Sequence, residues 1–149
     1  MTVLELLVNI DVDDLGAAER FYCAAFGLAP GRRLGPNVVE LRGASSAIYL
    51  LAKSAGTRAN AASGQTRSYD RHWTPVHLDF IVPDIEAALR SAEAAGAKRE
   101  GAVATHKWGR IVQMADPFGH GFCLIEFLGR GYDEIAAQGA SRPTSRAGT

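Results

Sequence analysis

Cysteine is scarce in this chain, with two in 149 residues, Cys23 and Cys123. A disulfide-built secreted scaffold of such length would carry more, so the pair reads as reduced thiols of a cytoplasmic protein. Neither sign of charge dominates, because Lys plus Arg and Asp plus Glu number 16 each. A balanced chain has no general field to draw in nucleic acid or an anionic membrane, which argues against both as partners. Long apolar runs are missing too. The longest clean one, Ala47 to Ala52, is far too short to cross a bilayer. The opening Met-Thr-Val-Leu-Glu lacks the basic and apolar regions of a secretory signal. No Gly-rich phosphate loop, nucleophile elbow or Cys-x-x-Cys pair occurs.

What is present is an ordinary globular composition, 47% hydrophobic and 21% charged, enough to build one core. It is organised as a repeat. Val8-Asn9-Ile10-Asp11-Val12-Asp13-Asp14-Leu15 alternates apolar and polar residues, then meets an acid and an aliphatic. Seventy residues on, Leu78-Asp79-Phe80-Ile81-Val82-Pro83-Asp84-Ile85 follows the same grammar. Each unit predicts a strand of period two that runs into a helix, with Asp14 or Asp84 as the N-cap. Ala18, Phe21, Tyr22 and Ala25 recur at helical spacing before the stop at Gly27. Ile85, Ala88, Leu89 and Ala92 do so before Gly96.

Strand-like pieces follow each helix. In the first unit they are 37–42 and 46–52, with a short strand near Arg33–Leu34; in the second they are 98–104, 108–115 and 121–127. The fold class is therefore α+β, built from tandem βαβββ modules. One domain spans 1–128: module one at 3–52, a linker at 53–73 and module two at 74–128. The linker is rich in Ser, Ala, Gly and Thr without apolar period, and its length suggests a mobile flap. Beyond it lies a tail, 129–149, where Gly-Arg-Gly-Tyr-Asp-Glu-Ile can dock as one turn and 140–149 reads as disordered.

Alternation also sorts the side chains. Val8, Ile10 and Val12 share one face of the first strand, and Leu7, Asn9 and Asp11 the other. Leu78, Phe80 and Val82 oppose His77, Asp79 and Ile81 in the same way. The aliphatic faces should cover the helices, leaving the more polar faces to wall a pocket.

Five segments together carry a resemblance: Val12-Asp13-Asp14-Leu15, Val82-Pro83-Asp84-Ile85, Ala18-Glu19-Arg20-Phe21-Tyr22, Phe26-Gly27-Leu28 and the turn Asp116-Pro117-Phe118-Gly119-His120. As a set they resemble the vicinal oxygen chelate superfamily, the group of glyoxalase I, bleomycin-resistance proteins and extradiol dioxygenases. The resemblance implies that the two modules pair into a curved, partly open mixed sheet around a cleft, with a small-molecule ligand and a homodimer. In its metal-using members one ligand sits seven residues before each helix-capping acid and another seven after the Asp of the Asp-Pro turn. Here those places hold Leu7, His77 and Cys123, and a fourth falls near Ile48–Tyr49. Leucine has no donor atom, and a catalytic divalent site needs three protein ligands. No metal or other cofactor is therefore expected. His77 and Cys123 would be its ligands if Zn, Fe, Mn or Ni were bound.

His77 and Asp79 are the candidate catalytic pair, an imidazole able to move a proton at neutral pH beside a carboxylate. Asn9, Asp11, Tyr49, Trp108 and Cys123 are candidate ligand-binding residues, with Tyr49 offering a hydroxyl and Trp108 an aromatic surface at the rim. Cys123 becomes a nucleophile only if His77 lowers its pKa; otherwise it is a small buried hydrophobe. His72, His106 and His120 fall in turns and should meet solvent. Glu40 and Arg42 either reach the cleft or lie on a solvated face. The function that emerges is binding of a small organic molecule without the metal. The alternatives are a metal-dependent lyase or dioxygenase using His77, and a metal-free acid–base enzyme using His77 and Asp79.

Overall fold

The computed structural model describes residues 2–137, so the expectation for 140–149 lies outside the described residues. Strand β1 (Val8–Val12) leads into helix α1 (Leu15–Phe26), then β2 (Ala29–Arg33), β3 (Val38–Arg42) and β4 (Ile48–Ala52). The second module repeats this with β5 (Leu78–Ile81), α2 (Ile85–Ala95), β6 (Lys98–Arg99), β7 (Ala104–Thr105), β8 (Gly109–Ala115) and β9 (Gly121–Phe127). A 3-10 turn, Gly131–Glu134, closes the described chain.

Both helix starts form as the sequence predicts. Asp14 accepts from the Ala17 N–H, and Asp84 from those of Glu86 and Ala87. Each such cap stabilises its helix by about 1 kcal/mol. Burial contributes more: Phe21, Tyr22, Ile85 and Leu89 all lie in the core, and each large apolar side chain there adds about 1.5–3 kcal/mol. The two helices pack on one another and on the aliphatic faces of both sheets. Phe26 of α1 stacks on Phe80 of β5 with centroids 4.0 Å apart, joining the modules through a shared core.

Two mixed sheets result, ordered β1-β4-β3-β2 and β5-β9-β8-β6, with β7 on β8. In each, the first strand runs parallel to the last strand of its module. No strand pairing joins the sheets among the described residues, so β1 and β5 are both open edges. Between them lies a groove of about 550 Å³ lined by Leu7, Asn9, Tyr22, His77, Phe80 and Phe122.

Three local expectations change. The short strand expected near Arg33–Leu34 covers Ala29–Arg33, because its pairing with β3 begins at Ala29 and Arg42. The single strand expected over 98–104 is two pieces of two residues each, pairing with opposite ends of β8. The third concerns the linker, which is fastened to the rest of the protein at its two ends, Lys53 and 67–72, while 58–66 bonds within the linker. Arg67 exchanges backbone hydrogen bonds with Gly56 and Thr57. Its guanidinium Nε donates to Asp11 at 2.7 Å. The Tyr69 hydroxyl donates to the Lys53 carbonyl, and the His72 N–H to that of Gly119. Gly119, at φ 90°, lies so close that a Cβ there would come within 2.5 Å of the Tyr69 carbonyl oxygen.

Candidate functional site

Strand register decides which side chains share each polar wall. In module one Asn9 pairs with Tyr49, and Tyr49 with Glu40. In module two Asp79 pairs with Cys123, and Cys123 with Gln113. The two walls are equivalent in backbone and different in chemistry.

Module two holds the candidate catalytic residues. His77 Nε2 lies 3.3 Å from Asp79 Oδ1, and both side chains are partly open to solvent. The donor atoms of His77, Asp79 and Cys123 all lie within 4.8 Å of one another. Cys123 itself is 2% exposed. Burial pushes its thiol up to about 12, and the Asp79 carboxylate and a hydrogen bond to it push in the same direction. The neighbour that sets this thiol is therefore Asp79, its cross-strand partner. At neutral pH the thiol stays protonated and is no nucleophile.

Aromatic rings surround this cluster. Trp73 lies over His77, with ring centroids 4.7 Å apart. On the other flank Trp108 packs against Tyr132 at 5.0 Å, Phe127 packs against Tyr132 at 4.8 Å, and His106 stacks on Trp108. Tyr132 arrives from the 3-10 turn that the sequence pattern left as a docking segment. Burial raises its pKa, and the charges of Asp79 and Cys123 raise it further. Trp73 and Tyr132 were not among the candidate site residues; both lie outside the alternating strands, where periodicity carries no signal.

Module one is built differently. Glu40 is 3% exposed. Arg32 donates to it from Nε and Nη2, at 3.1 and 2.6 Å, and from its backbone N–H. Arg42 Nε donates at 2.8 Å and the Tyr49 hydroxyl at 2.9 Å. These donors, Arg32 first, hold the Glu40 carboxyl well below the usual carboxylate range even though burial opposes them. Glu40 thus belongs to neither state the sequence left open: it faces the polar wall but is closed off by its partners.

Two candidate ligand-binding residues already have side-chain partners. The Tyr49 hydroxyl donates to Glu40 and also accepts from Arg32. Asp11 is paired with Arg67 and braces the linker. A correction concerns His120 and His72, both expected in solvent and both half-buried. His120 Nε2 lies 2.7 Å from the Asp11 carbonyl oxygen, and its ring lies 5.4 Å from that of His72. His106 is exposed as expected. Asn9 stands exposed on its wall, and Trp108 is half-buried.

The four positions that the family resemblance marks for a metal do not together supply a metal-ligand set. Leu7 is exposed carbon, and Ile48 is buried in the core. Tyr49, the residue of the Ile48–Tyr49 position that faces the wall, is held by Glu40. His77 and Cys123 remain, with Asp79 from the same module as a third donor.

Residues 7–125 match the family described as "Glyoxalase-like domain". The anthracycline biosynthesis protein DnrV of Streptomyces peucetius is 34% identical over 136 residues, which is 90% of this chain and 44% of that protein. The chain thus spans less than half the length of that relative. Among solved structures, the genomically encoded fosfomycin resistance protein FosX of Listeria monocytogenes superposes with a TM-score of 0.67 at 16% identity, covering 91% of this chain and 100% of its own. Lactoylglutathione lyase of Agrobacterium tumefaciens gives 0.59 at 21%, covering 85% and 95%. At these identities the two structures speak to the fold.

Proposed function

Because the chain belongs to the glyoxalase-like domain family, within the vicinal oxygen chelate superfamily, we propose that it binds a small planar organic molecule against the second module's polar wall, with no resident metal. The observation that carries this reading is the pairing of chemistries at that wall. A partly open His77–Asp79 pair has Trp73 over its imidazole, and the Trp108–Tyr132–Phe127 cluster belongs to the same module, with Tyr132 within the electrostatic reach of Asp79. Aromatic faces bury a flat ligand at low entropic cost, and the polar pair orients it. The link of DnrV to anthracycline biosynthesis favours a polycyclic aromatic ligand.

The ligand site is completed in a homodimer. The edges of β1 and β5 present unpaired backbone, and exposed Leu4, Leu6, Leu7, Val76 and Ile81 lie on or beside them. Setting β1 of one protomer beside β5 of its partner covers those edges and brings the Asn9 wall next to the Asp79 wall. Two free thiols suit the cytoplasm. No described helix is long and apolar enough to cross a membrane.

Titration with a hydroxylated anthraquinone, read by quenching of Trp73 and Trp108, tests the binding. Saturable quenching that weakens about tenfold in Trp108→Ala supports it. Quenching that never saturates, or that ignores the substitution, overturns it.

The three-donor cluster also favours a second reading, a metal-dependent lyase or dioxygenase. Elemental analysis decides it: stoichiometric Zn, Fe, Mn or Ni that disappears in both His77→Ala and Cys123→Ala establishes the metal enzyme. The remaining enzymatic reading is metal-free. There Asp79 positions the His77 imidazole and stabilises its cation, leaving Nδ1 to take a proton from the ligand. Ligand turnover by metal-stripped protein that fails in His77→Gln supports that reading.

A further inference from the structure

The first module's wall carries more cationic charge than its own fold requires. Arg32 and Arg42 flank one buried carboxylate, so two guanidiniums face a single Glu40 and leave one net positive charge. Both arginine side chains are largely solvent-exposed, at 62% and 63%. Glu40 engages Nε of each, and Nη2 of Arg32 as well. Among the described residues, Nη1 of Arg32 and both terminal nitrogens of Arg42 have no hydrogen-bond acceptor. The guanidiniums are thus held at their inner edges and left open at their outer ones.

Structural need accounts for one guanidinium on Glu40 but not for the second. Buried ion pairs are weak stabilisers, because desolvation offsets their attraction. The equivalent place in module two does without one, since Gln113 is exposed there beside Cys123. Space is also reserved for the network. A Cβ at Gly31 would come within 2.5 Å of Glu40 Oε1 and 2.9 Å of Arg42 Nε. What the arrangement achieves is preorganisation: two long side chains lose their rotamer freedom before any ligand arrives.

We propose that Arg32 and Arg42 form an anion subsite that receives a carboxylate, or an equally acidic oxygen, of the cleft ligand. The open guanidinium edges donate to its oxygens in the planar geometry that arginine favours. This deepens the binding reading above and rests on it for the identity of the ligand, but the anion step is measurable alone.

Sodium benzoate is the probe, and the arginine Nε–Hε signals in nitrogen-15 NMR are the readout. Benzoate should shift the Arg32 and Arg42 signals saturably. Arg42→Gln, an exposed change that leaves the Arg32–Glu40 pair in place, should weaken binding at least about tenfold, as expected for a charge-assisted contact. Arg33→Gln is the control, since Arg33 pairs with Glu19 of α1 instead, and it should change nothing. Unmoved Arg32 and Arg42 signals, or equal benzoate binding in the two variants, overturn the subsite. The unsubstituted protein separates the two proposals. If it fails to bind anthraquinone while benzoate still shifts the arginines, only the aromatic reading falls; saturable anthraquinone binding with unmoved arginine signals removes only the anion subsite.

Discussion

Tyr49 and Cys123 occupy the same place in the two modules. Tyr49 lies between Asn9 and Glu40 on neighbouring strands, and Cys123 between Asp79 and Gln113. The phenol delivers its hydroxyl to a buried carboxylate, whereas the thiol is closed in beside an open one. One backbone repeat thus carries an arginine-rich wall on one side and an imidazole, carboxylate and aromatic wall on the other.

The two thiols should separate on alkylation. With a pKa pushed up to about 12, Cys123 is thiolate in only about one molecule in ten thousand at pH 8, and it is buried as well. Cys23 is half-buried on α1, and its thiol is raised by burial and by Glu19. Iodoacetamide with mass spectrometry should find Cys23 modified first and Cys123 protected until denaturant is added. Early modification of Cys123 would contradict its placement.

The Glu40 network predicts the sign of an acid effect. Its folded-state carboxyl lies below the ordinary range, so the unfolded chain takes up the proton first as pH falls. The stabilisation is complete above the unfolded value of about 4.3 and is lost on acidification through the folded value. Glu40→Gln should therefore be less stable than the parent at pH 7, with the gap narrowing below about pH 4. Urea unfolding at several pH values measures this; a gap that widens in acid contradicts it.

Tyr22 fastens α1 to the second module. Its hydroxyl donates to Asp116 Oδ2, while Asp116 Oδ1 accepts from the Phe118 and His120 N–H groups. Burial raises the Tyr22 pKa, and the adjacent Asp116 raises it further. Tyr22→Phe should cost ~1–2 kcal/mol, because it leaves the buried carboxylate one donor short. A thermal midpoint lowered by several degrees is expected, and an unchanged one would show the contact to be dispensable.

Arg67 holds the linker to β1 through Asp11. Removing its side chain in Arg67→Ala should loosen the segment by about 1 kcal/mol, roughly a fivefold rise in local opening. Thermolysin cleavage between residues 55 and 68 should accelerate accordingly, with little change in global unfolding. An unaltered cleavage rate would place the restraint elsewhere.

Much of this protein is written along the chain. The two helices with their Asp caps and Gly stops, the repeat of seventy residues and the split of each first strand into aliphatic and polar faces all follow from local periodicity and capping. These signals are legible because they depend on residues within one turn or one strand of each other. The placement of His77 beside Asp79 belongs to the same class, since two residues apart on a strand share a face.

Register and long-range packing decided the rest. That the Cys123 thiol is raised by burial and then by Asp79, with no contribution from His77, depends on how β5 pairs with β9. That Tyr49 turns to Glu40 depends on β3 meeting β4 where it does, and that Arg32 joins them on an irregular step in the β2 pairing. Tyr132, Trp73 and Arg67 come from segments without periodicity, so only packing could bring them to the walls. A local pattern tells which face a side chain takes; which charge stands opposite it is set by strand pairing across large separations in sequence, and in this protein that pairing determines the chemistry of both walls.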